Sequence, residues 1–260
     1  MSVTFELRGS TALLTLNSPA TRNAFTAEIR EGLSDGIAQT HADAAIRALV
    51  ITGSGGVFCA GGDIRGMVGE ASHNDGTAWR SRMHGTQRWM AELLTLDKPV
   101  IAAVDGPAFG AGFSVALAAD FVIASTRARF CLSFMKLGLV PDCGAFYTLP
   151  RVVGAQRAKE LMLSAREVGA QEAKAIGIAM ELHEPEALLP RALALAASFE
   201  GASPLAVSLI KRAMFDSGEL AAQLDGEANA QALAFGSDYT QDAVRRFIDK
   251  QAPAFKWPKE

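Results

Sequence analysis

Val100-Ile101-Ala102-Ala103-Val104-Asp105-Gly106-Pro107-Ala108-Phe109-Gly110-Ala111-Gly112-Phe113-Ser114-Val115-Ala116-Leu117-Ala118-Ala119-Asp120 is the stretch on which the fold turns. Its first five residues form an apolar run that reads as a buried strand. Gly106-Pro107 breaks that strand, and Gly110-Ala111-Gly112 allows a tight turn with no bulky side chain in the way. A small apolar helix is expected from about Phe113 to Ala119. A helix start leaves its first N–H groups unpaired and partially positive. Small residues there let a ligand oxygen approach those groups, so the stretch reads as half of an oxyanion hole. Two plainer readings stand beside it. Glycines between a strand and a helix also serve close packing, and Gly106, Gly110 and Gly112 form a poor relative of a dinucleotide fingerprint.

A second unit of the same kind lies upstream. Ala48-Leu49-Val50-Ile51-Thr52 reads as a buried strand and leads into Gly53-Ser54-Gly55-Gly56-Val57-Phe58-Cys59-Ala60-Gly61-Gly62-Asp63-Ile64. Ala60-Gly61-Gly62 again has no side chain larger than a methyl group, and Asp63 is placed to cap the next helix. Before this unit, Val3 to Arg8 and Thr11 to Asn17 read as a hairpin across Gly9-Ser10. Thr26 then caps a helix with Ile29, Leu33 and Ile37 at helical spacing. Glu70 to Gly76 reads as polar, exposed and mobile, and Thr77 to Thr95 as a long helix.

Downstream, Phe121 to Ala124, Arg129 to Leu132 and Ala179 to Leu182 read as short strands, with helices at Gly154 to Ser164 and Ala170 to Ile176. From Pro185 onward the pattern is helical, with Ser203-Pro204 as a start and Gly201, Gly218 and Gly236 as stops. Strands alternating with helices, then helices alone, give an α/β core with an α-helical C-terminal region.

The chain has 260 residues, 49% of them hydrophobic and 20% charged, the balance of a globular protein. A net charge of −3 argues against a large nucleic-acid footprint. Cys59, Cys131 and Cys143 are odd in number and lack CxxC spacing. They suggest a reducing compartment, with neither a disulfide framework nor a metal site. The N-terminal residues carry charges where a signal peptide needs an apolar run, and no stretch reads as a membrane span. The expected location is cytoplasmic.

Taken in order, these segments resemble the crotonase (enoyl-CoA hydratase/isomerase) family. Leu49 to Gly53 followed by Phe58 to Ile64 is similar to the family's first oxyanion segment, and Asp105 to Gly112 to its second. Pro19-Ala20-Thr21-Arg22-Asn23-Ala24 resembles the loop that lies along coenzyme A. Gly138-Leu139-Val140-Pro141 and Leu149 to Gly154 match the segment past the active site, and Ser237-Asp238 with Phe247 to Phe255 the C-terminal signature.

The resemblance implies a crotonase-type spiral of ββα units over residues 1–200. It implies a helical region over 201–260 that packs between subunits, usually in trimers or pairs of trimers. It makes the N–H groups of Gly62 and Ala111 the oxyanion donors and an acyl-CoA thioester the substrate, with coenzyme A part of that substrate and no separate cofactor. Arg22, Ala24, Ala60, Asp63 and Ile64 fall on the binding segments. Arg22 and Lys250 could meet phosphates, or could lie on a solvated face.

The acid–base positions depart from the family. By alignment its two hydratase glutamates correspond to Ser114 and Phe134, which leaves simple hydration without its usual groups. Phe134 makes that side of the pocket more apolar. The available acid is Asp142, in Val140-Pro141-Asp142-Cys143-Gly144, which resembles the isomerase branch in which the aspartate acts as base. An aspartate before a short helix is also an N-cap by default, and the two roles compete for the same oxygens. The reading is an enoyl-CoA double-bond isomerase. Its alternatives are a hydratase with atypical acid–base groups, direct attack by Asp142 on carbon, and an acyl-CoA-binding protein with no chemistry. His84 and Cys143 are lesser candidates, read by default as structural or solvated.

Overall fold

In the computed structural model, which describes residues 1–65 and 76–258, a six-stranded sheet runs in the order β1-β2-β3-β4-β6-β9. Its strands are β1 (Val3–Arg8), β2 (Thr11–Leu16), β3 (Ala48–Gly53), β4 (Val100–Val104), β6 (Phe121–Ser125) and β9 (Glu181–His183). The β1–β2 hairpin is antiparallel and every later pair is parallel. A smaller sheet has the order β5-β7-β8, from Pro107–Phe109, Arg129–Cys131 and Val168–Gly169.

The central strands read as unbroken apolar runs because both of their faces are covered. Ala12, Leu14, Leu49, Ile51, Val100 and Ala102 enter the main core, whose other wall carries Ile29, Leu33, Met90 and Leu93. Their neighbours Leu13, Val50, Ile101 and Ala103 point the other way, onto Leu188, Ala192 and Ala196 of the helix Pro185–Ala197. The period-2 alternation thus divides one run of apolar residues between two cores.

The chain climbs by a repeated step. β4 leads through β5 to the helix Ala111–Leu117, then to β6 and on to β7. The segment after β3 takes the equivalent path, Cys59 pairing with Ala108 in an isolated parallel bridge. Cys59 N–H donates to the Pro107 carbonyl at 3.0 Å and Phe109 N–H to the Cys59 carbonyl at 2.9 Å. On the other side Gly110 N–H donates to the Cys131 carbonyl at 2.8 Å. Residues 107–109, expected as part of a turn, are therefore a strand. Pro107 is tolerated as its first residue because only its carbonyl is used.

Other boundaries shift for local reasons. The helix of the central stretch begins at Ala111 rather than Phe113. The last strand lies at Glu181–His183, starting two residues later and ending one residue later than expected. Gly218 does not end a helix. It is the second residue of Ser217–Phe235, where the Asp216 side chain caps by accepting from Glu219 N–H at 2.9 Å. The helix expected after Asp63 is described only at Ile64 and Arg65, and most of the polar segment Glu70 to Gly76 lies outside the described residues, Gly76 opening the helix Gly76–Leu94.

The C-terminal helices are Pro204–Ala213, Ser217–Phe235 and Asp238–Ile248. Ser217–Phe235 lies along Gly76–Leu94: Trp79 stacks on Phe235 with ring centroids 3.9 Å apart, and the Gln87 amide donates to the Leu224 carbonyl. Among the described residues no single helix is long and apolar enough to cross a membrane.

Gly112 gives this architecture a direct test. A Cβ there would lie 2.6 Å from Cys59 Cβ and 2.8 Å from the Cys59 carbonyl oxygen. Gly112→Ala should lose about 1–3 kcal/mol of stability through forced overpacking, read from the urea midpoint. Gly85→Ala, in a helix interior with nothing within 4 Å of the added Cβ, should instead gain about 0.5–1 kcal/mol.

Candidate active site

The two glycine-rich turns meet where their strands pair. Gly61 has φ +99°, and a Cβ on it would lie 2.8 Å from the Phe109 carbonyl oxygen. Gly61 and Gly112 are thus needed for the turns to touch, the packing role that glycines were also expected to fill. Gly62 and Ala111, each next to one of these glycines, line one cavity. Among the described residues neither of their N–H groups has a hydrogen-bond acceptor. Ala111 opens a helix, so no preceding turn of that helix supplies an acceptor for its N–H.

The cavity wall is mostly apolar and aromatic, with Phe25, Trp79, Met83, Phe134, Leu139 and Phe235, and it includes Ile64 and Asp142. It joins, through Gly62, Ile64, Ser133 and Leu137, a larger groove. That groove is bordered by Arg22, Arg65, Lys136, Arg246 and Lys250, with Asp63 as their acidic neighbour, and by Ala24 and Ala60. An apolar chamber opening into a cation-lined groove suits a molecule with an apolar end and an anionic body.

The loop bearing Arg22 and Ala24 is held by its neighbour. Asn23 is fully buried at φ +58°. Its amide donates to the carbonyls of Ser54 at 3.0 Å and Val57 at 2.7 Å, and its oxygen accepts from Ser18 N–H at 2.8 Å. Ala60 N–H reaches the Arg22 carbonyl at 3.0 Å and Phe25 N–H the Gly61 carbonyl at 2.8 Å, which sets this loop beside the first turn. Asn23 was not singled out from the sequence. An asparagine inside a loop, tolerant of positive φ, is the signal that was available.

Asp142 does not cap the helix that follows it. Cys143 and Gly144 both have positive φ, at 56° and 76°, and turn the chain away before Ala145–Val153 begins. The cap comes from elsewhere. Glu227, on Ser217–Phe235, accepts from Gly144 N–H at 2.9 Å and from Phe146 N–H at 3.3 Å. Asp142 Oδ2 accepts from the Gln231 amide at 2.9 Å, while Oδ1 is buried with no hydrogen-bond partner. Burial pushes the Asp142 pKa up to about 6, against the opposing pull of Gln231 and the Cys143 thiol. Burial likewise pushes Glu227 up to about 8, although its two N–H donors favour the carboxylate. Glu227 and Gln231 sit in the helical tail, far along the chain, and carry no local motif that marks them.

Ser114 is not brought to the site. It is wholly buried within Ala111–Leu117, lines neither cavity, and turns its hydroxyl toward the Gly110 carbonyl at 3.5 Å. His84 lies on the exposed side of its helix. Cys143 lines the cavity, but burial and the neighbouring carboxyls of Asp142 and Glu227 hold its thiol protonated. All three cysteines are buried and free, and among the described residues no cluster could hold a metal ion.

Residues 6–258 match the family model for enoyl-CoA hydratase/isomerase. The chain is 36% identical over 244 residues to the 1,2-epoxyphenylacetyl-CoA isomerase of Escherichia coli K12, covering 93% of each protein. It is 35% identical over 249 residues to the 2,3-dehydroadipyl-CoA hydratase of the same organism, covering 94% of each. Its fold superposes on a crystal structure of an enoyl-CoA hydratase/isomerase from Pseudoalteromonas atlantica T6c with a TM-score of 0.88 at 30% identity, over 98% of this chain and all of that one. With the spiral of two pocket-forming turns already in view, these likenesses establish that the chain belongs to the enoyl-CoA hydratase/isomerase, or crotonase, family.

Proposed function

We propose that the chain is an enoyl-CoA double-bond isomerase that works by one carboxylate and two backbone donors. The observation that carries this reading is that Asp142 is the one carboxyl group among the described residues lining the chamber that holds Gly62 and Ala111. Hydration asks for one group to activate water and another to protonate carbon, and a single carboxylate serves a proton shift more simply. The coenzyme A part of the substrate lies along the Arg22–Lys250 groove and the acyl part enters the aromatic chamber.

The thioester oxygen accepts from the N–H groups of Gly62 and Ala111. Asp142 takes the α-proton of a 3-enoyl thioester, and the electron pair spreads into a dienolate whose oxygen charge those two donors stabilise. The same carboxyl then returns the proton at the γ-carbon, giving the 2-enoyl thioester and restoring the carboxylate. Burial serves this cycle, because a carboxylate of raised pKa is a stronger base than one in water.

Self-association completes the proposal. The helix Pro204–Ala213 buries none of its side chains, and it and its C-cap leave Leu205, Leu209, Ile210 and Met214 between 56% and 82% exposed. Such a stripe is suited to a second copy of the chain. A homotrimer, or a pair of trimers, is the assembly proposed.

Asp142→Asn should lower turnover of a 3-enoyl-CoA by about 10²–10⁴-fold while acyl-CoA affinity, read by calorimetry, stays within a few fold. Turnover within tenfold of the parent would remove Asp142 from the mechanism, and tight binding without turnover by the parent chain would favour a binding protein. Because the base must be ionised, kcat/KM should rise with pH through about 6, the value to which burial lifts Asp142. Leu209→Glu combined with Ile210→Glu should reduce the mass seen by light scattering to that of one chain, and an unchanged mass would move the interface elsewhere.

A further inference from the structure

We infer that Gln231 is a positioning residue that holds Asp142 by one oxygen and thereby makes the other, Oδ1, the proton-transferring atom. This rests on the reading of Asp142 as the base and adds to it which oxygen acts and what holds it.

The geometry leaves little freedom. Gln231 is 1% exposed, on the helix Ser217–Phe235. Its Oε1 accepts from Val140 N–H at 3.2 Å. A backbone N–H can only donate, so the amide oxygen must face Val140 and the NH₂ must face Asp142. Nε2 then donates to Oδ2 at 2.9 Å, a bond that favours the ionised carboxyl. Oδ1 has no hydrogen-bond partner by distance and angle, the Cys143 thiol being the other polar group beside the carboxyl, and a buried polar atom in that state calls for a ligand atom or an explanation.

The same helix face holds both flanks of the base. Glu227 lies one turn before Gln231 and takes the N–H groups of Gly144 and Phe146. Together the two side chains grip the loop at residues 140, 142, 144 and 146, and the next turn brings Phe235 into the chamber wall beside Trp79. Among the described residues, the ionisable groups around Asp142 are Cys143 on its own loop, Glu227 on the helix packed against it, and Arg30 and Arg82 on the chamber wall.

The test is a titration of the Asp142 carboxyl by ¹³C NMR in the full chain, together with the pH profile of α-proton exchange into deuterated water on a saturated acyl-CoA. Gln231→Met keeps the volume and removes the donor, and should raise both midpoints by about one pH unit. Gln231→Glu keeps an acceptor for Val140 N–H and sets a second carboxyl against Oδ2, so the midpoints should rise at least as far. KM should change less than the pH profile. Midpoints within 0.2 unit (roughly the precision needed to see a one-unit effect) of the parent in both variants would overturn the inference. Asp142→Asn separates the two ideas: exchange surviving in that variant removes the base assignment, whereas exchange lost there with unmoved midpoints in the Gln231 variants removes only the role of Gln231.

Discussion

The site depends on one backbone contact, the pairing of Cys59 with Pro107 and Phe109 across two turns that are separate in sequence. That pairing is possible because Gly61 and Gly112 place no Cβ between the strands. It brings Gly62 and Ala111 to the wall of one chamber. The two donors are peptide groups, so their orientation is set by the strands and the helix start rather than by side-chain rotamers. Under the proposed mechanism they need little reorganisation when charge develops in front of them.

A second constraint comes from the tail. The helix Ser217–Phe235 supplies the cap of the helix after Asp142, the amide on Asp142 itself and an aromatic wall of the chamber. The arrangement has a cost in stability with a defined sign. Asp142 and Glu227 both have folded-state pKa values above their ordinary ones, about 6 and about 8. The folded state thus holds protons that the unfolded state has already lost, and stability falls as pH rises from the ordinary carboxyl range toward those values. These two buried carboxyls are kept at some expense to the fold, offset by the dense core beneath the sheet.

Much of the fold was legible locally. The hairpin, the buried strands at Ala48–Gly53 and Val100–Val104 and the Thr26 and Ser203 caps each rest on patterns a few residues wide, and each is where the pattern put it; the tail is helical as its pattern reads, with Gly218 inside a helix rather than at its end. β5 was not legible, because Pro107 between glycines reads as a turn and becomes a strand only through its neighbours at Cys59 and Cys131. Ser114 was assigned to the binding site by its place in the family alignment, and the structure turns its hydroxyl back onto its own helix.

What the chain's order of residues determined by itself is where backbone can come close: small residues after two buried strands, and an acid in a turn beyond them. What only the tertiary structure decided is how that acid is held. A short helix after Asp142 demands a cap, and from local sequence Asp142 was the natural one. Glu227, more than eighty residues away, takes those N–H groups instead, and Gln231 holds a single oxygen of the aspartate. Capping is a matter of which acceptor arrives at a helix end, and an acceptor delivered by a distant helix leaves no trace in the local sequence.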